Sequence, residues 1–182
     1  MYGRVHENSG RNNILNDRDV MYAISAVLTL WEMGFASVED VVAWADAEIA
    51  KSDCACQELI DLSLAGPARC TKRAEFDFPC RPVRLTCQEE FALRAVWLDL
   101  DAEESVYQFA NWAAGRCMGE DSTDAIVKFG YELDHLICDC NDRKSAIAHA
   151  RQMLPILTRR HMPVVDGLLD IARDLNPSLV RR

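Results

Sequence analysis

Apolar residues in this chain recur every three or four positions, and the runs begin at residues suited to cap a helix. Ser37 and Thr86 are each followed three residues later by an acid, the pattern of a capping box. The strict alternation of apolar and polar residues that marks a strand is nearly absent. A chain of 182 residues can bury a core without staples. We therefore expect an all-α fold, a single-domain bundle or orthogonal array of about eight helices.

We divide the chain into a polar N-terminal tail, residues 1–16, and a single helical domain, residues 17–182. Within this domain, residues 66–84 combine three prolines with five basic residues, which predicts a basic loop without helix or strand. Phe76 and Phe78 lie in this loop, and we expect both rings to anchor it to the core.

Capping residues and helix breakers predict where the other helices begin and end. We expect Asp101 and Glu104 to form a further capping box, and Asp121 or Ser122 to cap the long helix that follows. We expect Pro155 to end the next-to-last helix, because proline lacks the N–H that the preceding turn needs. Further helix ends are expected at Cys54 and Leu64, at Leu100, and at Asn176–Pro177.

The charged residues are sorted along the chain. Residues 15–65 hold ten acids and two bases, and residues 85–142 hold thirteen acids and three bases. The basic excess lies in residues 66–84, with five bases and two acids, and in residues 143–182, with eight bases and three acids. The net charge is −9. This balance favours a cationic protein as partner and argues against nucleic acid, which needs a clustered basic face.

The N-terminus and the apolar runs bear on location. Residues 1–17 are polar and lack the apolar centre of a signal peptide. The longest apolar run, Tyr22 to Trp31, is about half as long as a membrane span. We expect a cytoplasmic protein without membrane contact, and hence free thiols at its eight cysteines.

A possible metal site involves Glu132, His135, Cys138 and Cys140. Glu132 and His135 form a Glu-x-x-His pair, but a di-iron bundle needs a second such pair, which the sequence lacks. Zinc stays possible because His135 and Cys138 share a helix face, yet a closed zinc site needs further cysteine or histidine pairs. We predict no metal and no other cofactor, with His135 as a core or rim histidine.

A nucleophilic cysteine is a second chemical possibility. Cys54 and Cys87 lie at expected helix starts, where the helix field lowers a thiol pKa, whereas Cys117 lies near a helix end. Each also fits a packing role in a first helical turn. We predict no catalytic residue, and we keep a thiol- or zinc-dependent regulator or enzyme as an alternative function. A structural subunit of a larger assembly is the other alternative.

Two groups of acids dominate the second acidic block. The first acidic group is Asp99, Asp101, Glu103 and Glu104, and the second acidic group is Glu120, Asp121 and Asp124. Helix capping alone can explain such acids, at tenths of a kcal/mol each. Alternatively, the two groups meet at one end of the bundle and form a negative patch that captures a basic protein. We predict these seven residues as the partner contacts.

Three segments carry a family resemblance. Residues 41–46 (VVAWAD), 59–64 (LIDLSL) and 130–136 (GYELDHL) resemble blocks of small helical bacterial proteins, some of them immunity proteins of polymorphic or contact-delivered toxin systems. The resemblance implies a helical fold without catalytic residues that binds and neutralises a cognate basic toxin. It leaves the oligomeric state open, and the high cysteine count departs from it.

Overall fold

The structure is a computed structural model that describes residues 17–175, with side chains from residue 19 onward. This part of the chain contains nine α-helices and one π-helical turn, and no strand, which confirms the all-α fold class. The elements are α1 (Asp17–Glu32), α2 (Val38–Lys51), α3 (Gln57–Ala65), α4 (Pro67–Cys70), α5 (Cys87–Val96), α6 (Glu103–Cys117), α7 (Ala125–Asp134), the π-turn (His135–Asp139), α8 (Arg143–Thr158) and α9 (Met162–Leu175). The predicted end at Asn176–Pro177 lies outside the described residues.

Helix α5 lies between two hydrophobic clusters. Ala92 and Leu93 face a cluster formed mainly by α1, α2, α3 and α9, whereas Phe91 faces a cluster formed by α6, α7 and α8. All three side chains are fully buried. Three successive residues can serve two clusters because neighbouring side chains on a helix point about 100° apart. Helix α5 therefore joins the two hydrophobic clusters, the first of which combines helices from both ends of the described chain.

The local capping signals account for two helix starts. Ser37 and Thr86 are the N-caps of α2 and α5, and each side-chain oxygen accepts the N–H of the acid three residues on. In turn, the Asp40 carboxylate accepts the Ser37 N–H at 2.9 Å, and the Glu89 carboxylate accepts the Thr86 N–H at 2.8 Å. Both capping boxes were predicted. Two helix boundaries differ from the predicted ones. Helix α3 begins at Gln57 instead of Cys54, and α5 ends at Val96 instead of Leu100.

The basic segment 66–84 is an ordered loop with one helical turn, α4, which begins at Pro67. Phe78 is fully buried, as expected, but Phe76 is 88% exposed, so the expected second anchor is wrong. The loop is instead held by Thr29 of α1, whose hydroxyl accepts the Val83 N–H at 2.7 Å. The expectation that this segment contains no helix is therefore wrong at α4. Pro67 occupies the first helical position, where the missing N–H of proline costs no hydrogen bond.

Helix α8 continues through Pro155 to Thr158, so the predicted break at this proline is wrong. The helix continues because its buried face holds it in place on both sides of the proline, with Ala150, Leu154 and Thr158 buried. Pro155 cannot donate to the carbonyl of Arg151, which therefore lacks its usual helical donor.

Candidate functional site

The first acidic group lies where α5 leads into α6. The predicted capping box at Asp101 and Glu104 is wrong, since Ala102 is the N-cap and makes no side-chain cap bond. The Asp101 carboxylate instead bonds Arg151 of α8, and Glu104 accepts from Gln108 at 3.0 Å. Asp99 accepts the Asp101 N–H at 3.0 Å. All of these acids have partners within the chain.

The second acidic group lies where α6 leads into α7. Asp124, rather than Asp121 or Ser122, caps α7 and accepts the Ile126 and Val127 N–H groups at 2.8 and 3.3 Å. Asp121 accepts the backbone N–H and the hydroxyl of Thr123, and these bonds lower the pKa of Asp121. Glu120 pairs with Arg116 at 3.2 Å. Here too the carboxylates stabilise local structure.

The structure does not bring the two acidic groups together. The first group includes the first two residues of α6 and the second group follows its last residue, and this helix of 15 residues is about 21 Å long at a rise of 1.5 Å per residue. The expected single patch at one end of the bundle is therefore wrong. The two groups instead lie at opposite ends of α6.

Basic residues of α8 lie over the first acidic group. Arg143 pairs with Glu103 at 2.8 Å, and Arg151 pairs with Asp101. The four side chains are all more than half exposed. Exposed pairs of this kind contribute about 0–1 kcal/mol each, since solvent screens them and the long side chains lose freedom. Folding thus places part of the basic C-terminal block against the second acidic block.

Two shallow depressions adjoin beside α8 and share Leu100 and Arg151, and we call them together the α5–α8 groove. The first, of about 320 Å³, is lined by Leu100, Asp101, Glu103, Lys144, Ile147, Ala148 and Arg151. The second, of about 270 Å³, is lined by Ala95, Val96, Leu100, Arg151, Leu154, Pro155 and Thr158. Both open widely to solvent. The groove therefore combines apolar side chains with two of the predicted contact acids, Asp101 and Glu103, and with two bases, Lys144 and Arg151.

The four residues of the possible zinc site do not gather around one point, because only His135 and Cys140 lie together. Glu132 contacts His149 at 3.2 Å, and Cys138 donates to Asp134 at 3.2 Å. Within residues 17–175, no three histidine, cysteine or acidic side chains are arranged to hold a metal ion. His135 is exposed rather than a core residue.

Of the two roles considered for Cys87, the structure fits packing in the first helical turn and not activation by the helix start. Cys87 begins α5, but it is buried against Cys117 and Val127. Burial raises the pKa of Cys87, and it raises the pKa of Cys117 to about 11. Desolvation of the thiolate outweighs the helix field here. Cys54 lies in the connection before α3, whose N-cap is Cys56, so it does not occupy a helix start.

The sequence analysis named His135 and Cys140 as part of a possible zinc site, but it did not predict the cluster that they form with Asp139. In the π-turn, His135 Nδ1 lies 2.7 Å from Asp139 Oδ2, and His135 Nε2 lies 3.5 Å from Cys140 Sγ. In an α-helix, residues five apart point about 140° from each other. The π-turn instead bonds the Cys140 N–H to the His135 carbonyl at 3.0 Å, which brings these two residues into line. The spacing alone therefore gave no signal for this cluster.

No family model, curated protein or solved structure in the comparisons matches the chain. Of the helices between residues 17 and 175, none is long and apolar enough to cross a membrane.

Proposed function

We propose that this protein is a cytosolic, immunity-type binding protein that neutralises a basic bacterial toxin, and that the α5–α8 groove receives a cationic segment of it. The observation that carries this proposal is the groove itself, in which apolar side chains adjoin the exposed carboxylates of Asp101 and Glu103, beside the bases Lys144 and Arg151. The zinc-dependent alternative lacks support, because only His135 and Cys140 of the possible zinc site lie together and a closed zinc site needs four ligands.

The charge of the described domain supports a cationic partner. Residues 19–175 contain 27 acids and 15 bases. At least seven of these arginines and lysines pair with carboxylates of the same chain. The acids in excess leave a negative field, which speeds association with a basic protein and weakens with salt.

The shape of the groove supports a protein segment as its occupant. Small-molecule sites are generally concave and bury most of the ligand. The α5–α8 groove is open, so it suits an extended segment or helix whose apolar side chains cover Leu100, Leu154 and Pro155. The carboxylates would then lie at the edge of the interface, where charges set orientation and association rate.

The ion pairs with α8 do not prevent such binding. Asp101 and Glu103 are 88% and 59% exposed, as side chains, in their pairs with Arg151 and Arg143. Because an exposed pair contributes at most about 1 kcal/mol, an incoming arginine or lysine can displace either partner at small cost.

The proposal is tested by affinity capture from the native host with a blocked groove. In the variant Ala148→Arg, a long cationic side chain replaces an exposed alanine of the groove. Ala43→Arg makes the same change at an exposed position of α2, outside the groove, and serves as the matched control. Circular dichroism should show both variants folded, since neither position is buried.

We expect the wild-type protein and Ala43→Arg to capture the same basic polypeptide at low salt and to release it at high salt. Ala148→Arg should lose that polypeptide, because its side chain fills the groove and repels a cationic segment. The captured polypeptide should be toxic when it is expressed alone, and co-expression of this chain should restore growth. Equal capture by both variants would exclude the groove, and a harmless polypeptide would exclude the immunity role.

A further inference from the structure

We propose that Cys140 is a nucleophilic thiol that undergoes exchange with small disulfides, with His135 as its base and Asp139 as the residue that orients the base. The site is separate from the α5–α8 groove, and the proposal does not depend on a toxin partner. It makes the π-turn a site of reversible S-thiolation, for which glutathione disulfide is the simplest substrate.

The geometry places the three side chains in the order that proton transfer needs. Asp139 Oδ2 contacts His135 Nδ1 at 2.7 Å, and His135 Nε2 contacts Cys140 Sγ at 3.5 Å. When the Asp139 carboxylate accepts a hydrogen bond from Nδ1–H, the neutral imidazole has its free lone pair on Nε2. This is the atom that faces the thiol. The tautomer that Asp139 favours is therefore the one that can accept the Cys140 proton.

The backbone holds this arrangement within one turn. The Cys140 N–H donates to the His135 carbonyl at 3.0 Å, and the Asp142 N–H donates to the Leu136 carbonyl at 2.8 Å. Asn141 takes a φ of +51°, which ends the turn directly after Cys140. Asparagine is among the few residues that adopt this left-handed conformation readily. Single π-turns are frequent at functional sites.

The exchange step balances without a further reactant. The Cys140 thiol gives its proton to His135 Nε2, and the thiolate attacks one sulfur of the small disulfide. A new bond forms between Cys140 and that sulfur while the original S–S bond breaks. The second sulfur leaves as a thiolate and takes the proton back from His135. Cys140 is thereby oxidised to a mixed disulfide, and half of the small disulfide is reduced to a thiol.

The exposure of the cluster fits this chemistry. The side chains of His135 and Asp139 are 63% and 71% exposed, and Cys140 is exposed as well. Disulfide exchange needs open access to a thiolate. A closed pocket and an oxyanion hole are required for acyl transfer instead, and this surface site offers neither feature to a substrate.

Two other exposed thiols provide internal standards. Cys138 lies in the same turn, but its thiol donates to Asp134 Oδ1 at 3.2 Å, and this contact raises the pKa of Cys138. Cys54 is exposed and lies outside any helix. The remaining cysteines are buried or half-buried. The three exposed thiols should therefore react in the order Cys140, Cys54, Cys138.

The test uses the reduced full-length chain with glutathione disulfide at neutral pH, quenched by acid and analysed by peptide mass spectrometry. We expect Cys140 to react about tenfold faster than Cys54, because His135 can take up the Cys140 proton and thereby increase the fraction of thiolate. His135→Gln should bring the Cys140 rate down to that of Cys54, while the rates of Cys54 and Cys138 stay unchanged and report an intact fold.

Asp139→Asn tests the positioning role separately. It should slow Cys140 less than His135→Gln does, because the base remains but its tautomer is no longer fixed. Nitrogen NMR of His135 should show the proton mainly on Nδ1 in the wild-type protein and on both nitrogens in the variant. The proposal is overturned if Cys140 reacts no faster than Cys54, or if His135→Gln leaves its rate unchanged.

Discussion

Two buried threonines make different use of their hydroxyl groups. Thr29 of α1 donates to the Ser25 carbonyl at 2.7 Å and also accepts the Val83 N–H from the basic loop. Thr158 of α8 donates to the Leu154 carbonyl at 2.8 Å, a bond confined to its own helix. Both side chains are almost fully buried. Only the Thr29 hydroxyl links segments that are distant in sequence.

Thr29→Val should therefore destabilise the protein by about 1–3 kcal/mol, because the Val83 N–H loses its acceptor while the shape of the side chain is kept. Thr158→Val is the matched control and should cost less than about 1 kcal/mol, since no donor depends on its hydroxyl. Urea unfolding followed by circular dichroism measures both changes. Equal losses in the two variants would contradict the proposed role of Thr29.

Predictability at the scale of single residues follows the distance to the partner. The caps at Ser37 and Thr86 could be predicted because each partner lies three residues away. The prediction of a cap at Asp101 failed because the Asp101 carboxylate accepts from Arg151, which lies 50 residues further along the chain. Phe76 and Phe78 have the same local pattern, and only the path of the loop decides which ring is buried.

At the scale of elements, α8 contains the main departure from sequence expectation. Proline in a helix interior removes one hydrogen bond and clashes with the preceding turn, at a cost of about 3 kcal/mol. Helix α8 continues across Pro155 because residues of α8 near the proline bury their side chains in the cluster formed by α6, α7 and α8. Propensity predicted the break, and tertiary packing overrode it. Likewise, the π-turn could not be predicted, because periodicity cannot distinguish it from a continued α-helix.

Pro155→Ala should stabilise the protein by about 1–3 kcal/mol, because the alanine N–H can donate to the Arg151 carbonyl and the clash is removed. Pro163→Ala changes a proline in the first turn of α9 and should alter stability by less than about 1 kcal/mol. Thermal and urea unfolding of the two variants provide the measurement. A loss of stability in Pro155→Ala would mean that the proline fits the geometry of α8 without cost.

At the scale of the whole molecule, folding changes what the sorted charges can do. The sequence suggested that the two acidic groups form one surface, but they lie about 21 Å apart along α6. Several of these acids cap a helix or form ion pairs with arginines of α8, so their carboxylates stabilise local structure. The excess of acids remains as a property of the described domain, whereas the α5–α8 groove provides a particular place for contact. Composition could predict the excess of acids, but it could not predict the α5–α8 groove.

This distinction can be tested with two double variants of equal charge. Asp101→Lys with Glu103→Lys reverses both acids of the groove, and Asp166→Lys with Asp174→Lys reverses two exposed acids of α9. Both raise the net charge equally, so both should slow association with the cationic partner through the weaker long-range field. Only the groove variant should also speed dissociation, since only there do the new lysines face the bound segment. Stopped-flow or surface-plasmon kinetics of the captured partner at two salt concentrations separate the two rates. Equal dissociation rates would show that the acids act through the overall charge and that the segment binds elsewhere.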